Sequence, residues 1–226
     1  PYAGEALESL RAQEFAGWRA VLVDDGSDDA TGEIFDAAAD VDERFTVVHH
    51  DARRGLSAAR NTGLDLVDTR YVGFLDADDV MTPPALARLV GTLDRTGSDI
   101  VVGAYVRLRP DGHGGYAPGP VPPWVAAATD PARDATTLAE HPEVSGNIVA
   151  WSKVSRIELW DGVRFPVGRA YEDQLVAQEV ELFEPTEDEV ARARRARGSE
   201  ALVIPIDAAA FGTALIDELK SVLETF

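Results

Sequence analysis

Two groups of carboxylates, each at the end of an apolar run, are the residues of this sequence best suited to chemistry. The run Val21–Val23 is followed by Asp24 and Asp25, and the run Val72–Leu75 is followed by Asp76-Ala77-Asp78-Asp79. Short apolar runs of this kind are typical of buried strands, and a core does not accept unpaired carboxylates. In an open α/β sheet, ligands bind outside the carboxyl ends of the strands. We therefore expect both acidic ends to face one ligand site, and a metal ion is the ligand that such acids favour.

The composition bounds the kind of protein that can carry such a site. With 226 residues, 45% of them hydrophobic, the chain is long enough for one large α/β domain or two small ones. The absence of cysteine excludes disulfides, thiolate zinc sites and a cysteine nucleophile. A formal net charge of -19 argues against nucleic acid as a partner, because phosphate contacts need clustered Lys and Arg. An anionic substrate would need a cation as intermediary.

The distribution of apolar residues gives no sign of a membrane span. No uninterrupted apolar stretch approaches about 18 residues, and the N-terminus lacks a basic region followed by an apolar one. We expect a cytoplasmic protein without a transmembrane segment, and peripheral association with the inner face of the membrane stays open. The sequence predicts no particular oligomeric state.

Strands and helices alternate through residues 1–103. Apolar runs predict the strands, and the segments between them show helical spacing of apolar residues or helix-opening residues. The predicted strands are Trp18–Val23, Phe45–His49, Tyr71–Leu75 and Ile100–Gly103. This alternation predicts an α/β fold with a mostly parallel sheet flanked by helices.

The pattern changes after residue 103. A turn signal at 110–112 predicts a hairpin or an edge strand. The proline-rich segment 117–135 predicts a functional or poorly ordered loop. Ile148–Trp151 is predicted to form a short strand, and a helix is predicted to start at Asp173.

Four motifs occur in a fixed order, and together they resemble a known family. They are Asp24-Asp25-Gly26-Ser27, the segment 54–63 with Arg60 and Asn61, Asp76-Ala77-Asp78-Asp79, and Tyr171-Glu172-Asp173. In order and approximate spacing they resemble the family 2 glycosyltransferases, which are inverting, nucleotide-sugar-dependent enzymes of the GT-A fold. The resemblance covers roughly residues 1–180. It implies a nucleotide-sugar-binding half over 1–103, an acceptor-side half over 104–183 and a helical tail over 184–226.

The resemblance assigns the metal to the second acidic run. Its donor would be a nucleoside-diphosphate sugar. Carboxylates without a cation would repel the diphosphate, and Mg²⁺ or Mn²⁺ removes this repulsion by binding oxygen atoms of both. Asp78 is the expected metal ligand, and Asp76 is expected to reach the ribose or the metal. The open alternative for Asp76–Asp79 is a capped turn before the next helix.

The first acidic run and the 54–63 segment are expected to border the nucleotide. The resemblance implies that Asp24 and Asp25 contact the nucleobase and the ribose, with a helix-capping turn as the alternative. It also implies that the segment around Arg60 braces the metal-site acids, although a surface ion pair would explain Arg60 alone.

The resemblance places the acceptor chemistry at Glu172 and Asp173. Asp173 is expected to act as the general base that deprotonates the acceptor hydroxyl, with Glu172 positioning it or the acceptor. The alternative is a pair of acids favoured by a helix N-terminus. The donor base, the sugar and the acceptor are not readable, although high Ala and Arg usage hints at a bacterial polysaccharide or cell-envelope pathway.

Two departures from the family stand out. Members begin with a further strand ending in a Pro-x-Tyr turn before the equivalent of Tyr2, and its absence predicts a gap in the sheet or a partial sequence. After Val180 the sequence, which predicts helices over 186–197 and 211–226, continues no family pattern. These departures leave open a nucleotide-sugar-binding module without turnover. A haloacid-dehalogenase-like phosphatase also stays open, because Phe74-Leu75-Asp76-Ala77-Asp78 resembles the strand-end Asp-x-Asp of those enzymes.

Overall fold

A mixed β-sheet lies at the centre of the protein, seen here in a computed structural model that describes residues 2–113, 115–169, 172–181 and 202–207. Within these residues the strands are β1 (Trp18–Asp24), β2 (Phe45–His49), β3 (Tyr71–Gly73), β4 (Leu75–Asp76), β5 (Ile100–Val102), β6 (Leu108–Pro110), β7 (Tyr116–Pro118), β8 (Lys153–Arg156) and β9 (Leu202–Asp207). The main sheet has the order β2-β1-β9-β3-β8-β5, with β4 also paired to β9. Strands β1, β2, β3, β4 and β9 run parallel, and β8 is antiparallel to both β3 and β5.

The described helices cover both faces of this sheet. They are α1 (Ala3–Arg11), α2 (Thr31–Val41), α3 (Leu56–Asp65), α4 (Ala85–Thr96), α5 (Pro123–Thr129) and α6 (Glu172–Glu181), with short 3₁₀ helices at Pro142–Gly146 and Ile157–Trp160. Within the described part of the chain, none of the helices combines the length and apolarity that crossing a bilayer requires.

The alternation of side chains along β1 divides the core into two layers. Trp18, Ala20 and Leu22 join the apolar cluster that includes residues of α1, α2 and α4. Val21 and Val23 join the opposite cluster, which includes residues of α3 and α6. Because successive side chains of a strand point to opposite faces, a strand buried on both faces reads as a continuous apolar run. This explains why the sequence pattern located β1 correctly.

Strand β9 occupies the centre of the sheet, where the sequence predicted a gap. It pairs in parallel with β1 on one side and with β3 and β4 on the other. Val72 pairs with Val203 and Leu75 pairs with Ile206, so the ladder is interrupted opposite Ile204 and Pro205. Proline has no N–H to offer to a ladder, and this interruption accommodates it. A segment from the predicted tail thus fills the gap, and the helices predicted over 186–197 and 211–226 lie outside the described residues.

The second half of the chain departs from prediction at two places. The hairpin predicted around 110–112 is confirmed as β6 paired with β7. The strand predicted at Ile148–Trp151 is wrong, because the strand that joins β3 and β5 is β8, and Ile148 to Ala150 line an apolar pocket instead. A short apolar run does not by itself distinguish a strand from buried irregular chain. The segment 117–135, predicted as a loop, contains α5, which begins at Pro123 as proline favours.

Candidate active site

The carboxyl ends of three parallel strands bring the two acidic runs to one edge of the sheet. Asp207 at the end of β9 pairs with Val23 of β1 and with Asp76 of β4. Asp24, which follows Val23, therefore lies on one side of β9 and Asp76 on the other. This is the edge at which open α/β sheets bind ligands.

Three carboxylates of the second run form a cluster that could hold a cation. Oxygen atoms of Asp76, Asp78 and Asp79 lie within 4.8 Å of one another. An all-carboxylate donor set suits a hard divalent cation such as Mg²⁺ or Mn²⁺. Asp76 and Asp78 are the predicted metal ligands, and Asp79 lies in the same group of carboxylates.

The electrostatics of this cluster are those of crowded like charges. Burial, together with Asp76 and Asp78, raises the pKa of Asp79 from 3.8 to about 7. Although Asp78 is exposed at the surface, the surrounding protein desolvates its carboxylate, and this effect and Asp76 raise its pKa. Binding a cation would relieve this repulsion and so stabilise the cluster.

Ser9 of helix α1 and Gln13, two residues after its end, fix the segment that follows the cluster. The Gln13 side chain is buried, and its Nε2 donates to the Thr82 carbonyl at 2.9 Å while its Oε1 accepts from the Leu86 amide at 3.0 Å. The Met81 amide donates to Ser9 Oγ at 3.1 Å. The sequence did not single out these two polar residues, because nothing local marks either of them as the anchor of a distant segment.

Arg60 joins the metal-site acids to the predicted general base. Its Nη2 lies 2.8 Å from Asp76 Oδ1, its Nη1 donates to Asp173 Oδ1, and Glu172 Oε1 lies 3.9 Å from the same nitrogen. The Arg60 side chain is only 1% exposed. A buried guanidinium needs such partners, since an unpaired buried charge is strongly unfavourable. The surface ion pair considered for Arg60 is therefore not what the structure contains.

Asp173, the predicted general base, pairs with Arg60 and is desolvated by the surrounding protein. Burial raises its pKa, with Arg60 opposing this and Glu172 and Asp76 adding to it. The Ala150 backbone also hydrogen-bonds to the carboxylate. A carboxylate with a raised pKa is a stronger base than an ordinary aspartate, and Asp173 also lines the apolar pocket beneath α6.

Asn61, beside Arg60, fixes the segment that leads to α6. Its Nδ2 donates to the Phe165 carbonyl at 2.8 Å, and its Oδ1 accepts from the Phe165 amide at 2.8 Å. The Phe165 ring packs against Phe74 and Trp160, and the guanidinium carbon of Arg60 lies 5.2 Å from its centroid. Helix α3 thus positions Asp76 and Asp173 through Arg60, and the segment that leads to α6 through Asn61.

Asp24, at the end of β1, is bonded to neighbouring protein groups. Its Oδ1 accepts from the Ser27 amide at 3.0 Å, and its Oδ2 lies 3.0 Å from His49 Nδ1. Burial raises its pKa, but the hydrogen bonds from Ser27 and His49 outweigh burial and lower the pKa overall. His49 Nε2 lies 2.9 Å from Asp36, so this imidazole bridges two carboxylates and its pKa is raised.

Asp25 holds the loop between β2 and α3. Its oxygens accept from the Arg54 amide at 2.9 Å and the Gly55 amide at 2.7 Å, and His50 Nδ1 lies 2.6 Å from Oδ1. The side chain is 2% exposed. Gly26 makes the approach of this loop possible, since its φ is +67° and an added Cβ would lie 2.8 Å from backbone atoms of residues 52 and 53.

The predicted site residues therefore fall into two groups. Asp76, Asp78, Arg60, Glu172 and Asp173 come together at one place, while Asp24 and Asp25 lie at the neighbouring strand end. The nucleotide contacts expected of Asp24 and Asp25 stay predictions. Sequence reasoning missed His49 and His50, although their position at the end of a strand beside β1 was a usable signal.

Comparison with known proteins places this arrangement in a family. The sequence profile described as "Glycosyl transferase family 2" matches residues 1–147. The chain belongs to glycosyl transferase family 2. This membership confirms the family predicted from the four motifs and favours it over the phosphatase alternative.

Relatives of this family 2 chain include glycosyltransferases from several bacteria. Glycosyltransferase GlyA of Streptococcus pneumoniae serotype 4 is 31% identical over 184 residues, which are 80% of this chain and 26% of GlyA. The succinoglycan biosynthesis protein ExoO of Rhizobium meliloti is 38% identical over 97 residues, which are 43% of this chain and 27% of ExoO. The chain thus spans well under half the length of the curated relatives it matches.

Solved structures confirm the GT-A fold of the family 2 chain. Staphylococcus aureus TarS superposes with a TM-score of 0.65 at 23% identity, covering 80% of this chain and 31% of TarS. The mannosyltransferase PcManGT from Pyrobaculum calidifontis, solved with GDP-Man and Mn²⁺, gives a TM-score of 0.56 at 18% identity and covers 94% of this chain and 54% of PcManGT. The α/β fold class predicted from the sequence is therefore correct.

Proposed function

We propose that this chain forms the catalytic domain of an inverting, divalent-metal-dependent glycosyltransferase. It would move a sugar from a nucleoside-diphosphate sugar to an acceptor hydroxyl. The observation that carries the proposal is the position of Arg60, which contacts Asp76 of the carboxylate cluster with one nitrogen and Asp173 with the other. Arg60 would thus hold two groups in a fixed relation. One is the carboxylate cluster that binds the leaving diphosphate through a cation, and the other is Asp173, which deprotonates the acceptor.

The donor would lie at the acidic edge of the sheet. TarS has been solved with UDP and PcManGT with GDP-Man and Mn²⁺, and these complexes support a nucleoside-diphosphate donor and a cation for this chain as well. Asp76, Asp78 and Asp79 would hold the cation, which would supply positive charge to the diphosphate as it departs. Asp24 would face the nucleoside with its lowered pKa keeping it ionised, and so able to accept hydrogen bonds.

Asp173 would remove the proton of the acceptor hydroxyl. The acceptor oxygen attacks the anomeric carbon, the bond from that carbon to the diphosphate breaks, and the electron pair leaves with the nucleoside diphosphate. The proton passes to the Asp173 carboxylate, whose raised pKa suits this role. Arg60 and Glu172 would orient Asp173, since Arg60 Nη1 pairs with Asp173 and Glu172 Oε1 lies 3.9 Å from the same nitrogen.

The relatives also suggest where such an activity would be used. ExoO is named for succinoglycan biosynthesis, and TuaG of Bacillus subtilis is named as a putative teichuronic acid biosynthesis glycosyltransferase. We propose a role in the synthesis of an extracellular or cell-envelope polysaccharide, on the cytoplasmic side of the membrane.

A thermal-shift panel tests the donor side of the proposal. We expect UDP or GDP to raise the melting temperature only when Mn²⁺ or Mg²⁺ is present, because the carboxylate cluster repels a diphosphate without a cation. At a ligand concentration about 100 times the Kd, the gain would be about 2.7 kcal/mol. Metal-dependent stabilisation should disappear in Asp78→Asn/Asp79→Asn. A protein that no nucleoside diphosphate stabilises, with either metal, would contradict the proposal.

A further inference from the structure

Three aromatic side chains from separate segments meet at the surface of the second half of the chain. They are Tyr105, which follows β5, Trp124 of α5, and Trp151, which precedes β8. The rings of Tyr105 and Trp151 are 4.4 Å apart between centroids at an interplanar angle of 65°. Trp124 Nε1 donates to the Tyr105 hydroxyl at 3.0 Å. We call these three residues the aromatic cluster.

The aromatic cluster is held in place without being buried. Trp151 packs against the apolar layer that contains α6, which anchors one end of the cluster. Trp124 is 46% exposed, yet its indole N–H is already paired with Tyr105. A large aromatic ring left in solvent, with its polar atom satisfied by a neighbour, contributes little to the core. Such rings are typical of binding surfaces.

The aromatic cluster lies next to the group proposed to act on the acceptor. Trp151 directly follows Ala150, whose backbone hydrogen-bonds to the Asp173 carboxylate. Ala150 and Asp173 also line the same pocket. An acceptor whose hydroxyl reaches Asp173 would therefore extend over the chain at 150–151.

We infer that Tyr105, Trp124 and Trp151 form the acceptor subsite, and that the acceptor group bound there is a sugar ring. This inference rests on the proposed glycosyltransferase function and specifies its acceptor. One face of a pyranose presents C–H groups, whose partial positive charge complements the negative face of an aromatic ring. The hydroxyl groups at the rim of the ring stay in water or reach the base. The face of an aromatic ring thus binds the sugar while leaving one hydroxyl free to react.

Trp124→Ala tests this subsite, because the side chain is exposed and its removal leaves no buried cavity. The probes are methyl β-glucoside, methyl β-galactoside and their 2-acetamido analogues, titrated into the protein while tryptophan fluorescence is recorded. We expect a saturable change with at least one glycoside in the wild type. In Trp124→Ala the Kd should rise about tenfold or more, as the loss of one ring contact implies. Trp124→Phe keeps the ring and should retain most of the affinity.

Leu108→Ala is the matched control, since Leu108 is also exposed and lies in the same half of the chain but outside the aromatic cluster. It should bind the same glycoside as tightly as the wild type. Decyl maltoside and decanol, titrated in parallel, separate a sugar site from a site for an apolar chain. Saturation by decanol with none by the methyl glycosides would overturn the inference. So would unchanged glycoside affinity in Trp124→Ala, or the absence of any saturable glycoside signal.

Donor turnover separates this inference from the proposed function. Release of UDP or GDP from a matching nucleotide sugar, with water as the acceptor, needs the metal site and Asp173 but not the aromatic cluster. Leu108→Ala should leave this hydrolysis unchanged, whereas Trp124→Ala should raise the KM for a glycoside acceptor about tenfold. Absence of metal-dependent nucleotide binding by the wild type would reject the proposed function itself. Normal hydrolysis with an unchanged acceptor KM in Trp124→Ala would reject only the subsite.

Discussion

The acidic ends of β1 and β4 share a sequence pattern but differ in what surrounds their carboxylates. Asp24 and Asp25 accept hydrogen bonds from backbone amides and face His49 and His50. Asp78 and Asp79 are desolvated by the protein and lie beside other carboxylates, and both effects raise their pKa values. The first end accepts hydrogen bonds from the protein and fixes loops, whereas Asp78 and Asp79 of the second end crowd one another and suit a cation. Apolar runs ending in acids therefore predict where a site lies but not which acids bind its ligand.

Arg60 is a buried cation that links the second acidic end to Asp173, so its removal should have the largest effect. We expect Arg60→Ala to lower the free energy of unfolding by about 3 kcal/mol, because it leaves carboxylates facing one another without a counter-charge. Urea denaturation measures the loss. Arg53→Ala, which breaks the exposed ion pair with Asp28, should cost less than about 1 kcal/mol. Equal losses in the two variants would show that Arg60 is not the link.

The first acidic end depends on close backbone approach, which Gly26→Ala would disturb. The added Cβ would meet backbone atoms at 2.8 Å, and the residue would keep a φ of +67°. We expect a loss of about 2–3 kcal/mol from clash and left-handed strain together. Gly112→Ala is the matched control, since Gly112 has a φ of +77° but no neighbouring atoms within 4 Å. It should lose only the strain, about 1 kcal/mol.

Repulsion at the second acidic end predicts a substitution that stabilises the protein. Asp79→Asn removes one of three crowded carboxylates, so the metal-free protein should gain about 1 kcal/mol in neutral buffer. The same variant should gain less from added Mn²⁺ than the wild type does. Differential scanning fluorimetry with and without the cation measures both effects. Asp51→Asn, an exposed aspartate outside the cluster, should change neither value.

The first acidic end predicts a pH-dependent contribution from His49. Asp24, and then Asp36, raise the His49 pKa above its ordinary value of 6.5. The stabilisation is therefore fully present below pH 6.5 and is lost as the pH rises through the raised pKa. We expect His49→Gln to cost about 0.5 kcal/mol at pH 6 and less at pH 9, since the imidazole is partly exposed. A larger loss at pH 9 than at pH 6 would contradict this sign.

Much of this structure follows from local sequence, and the rest depends on contacts that no local pattern specifies. The apolar runs placed β1, β2 and β5, because strands buried on both faces have a distinctive composition. The sequence did not pair β9 with β1, since partners so far apart along the chain are chosen by the whole sheet. The sequence also did not predict that Asp25 would accept hydrogen bonds from the Arg54 and Gly55 amides, or that Asp79 would lie in the carboxylate cluster. Those outcomes depend on loop conformations that the acids themselves help to fix.

The most direct test of the central claim compares Asp173→Asn with the wild type in release of nucleoside diphosphate from a nucleotide sugar with Mn²⁺. If Asp173 is the general base, the variant should bind the donor within about twofold of the wild type and turn it over at least about 100-fold more slowly. Glu172→Gln, which keeps the base, should lose less. A wild-type rate in Asp173→Asn, with donor binding intact, would contradict the account.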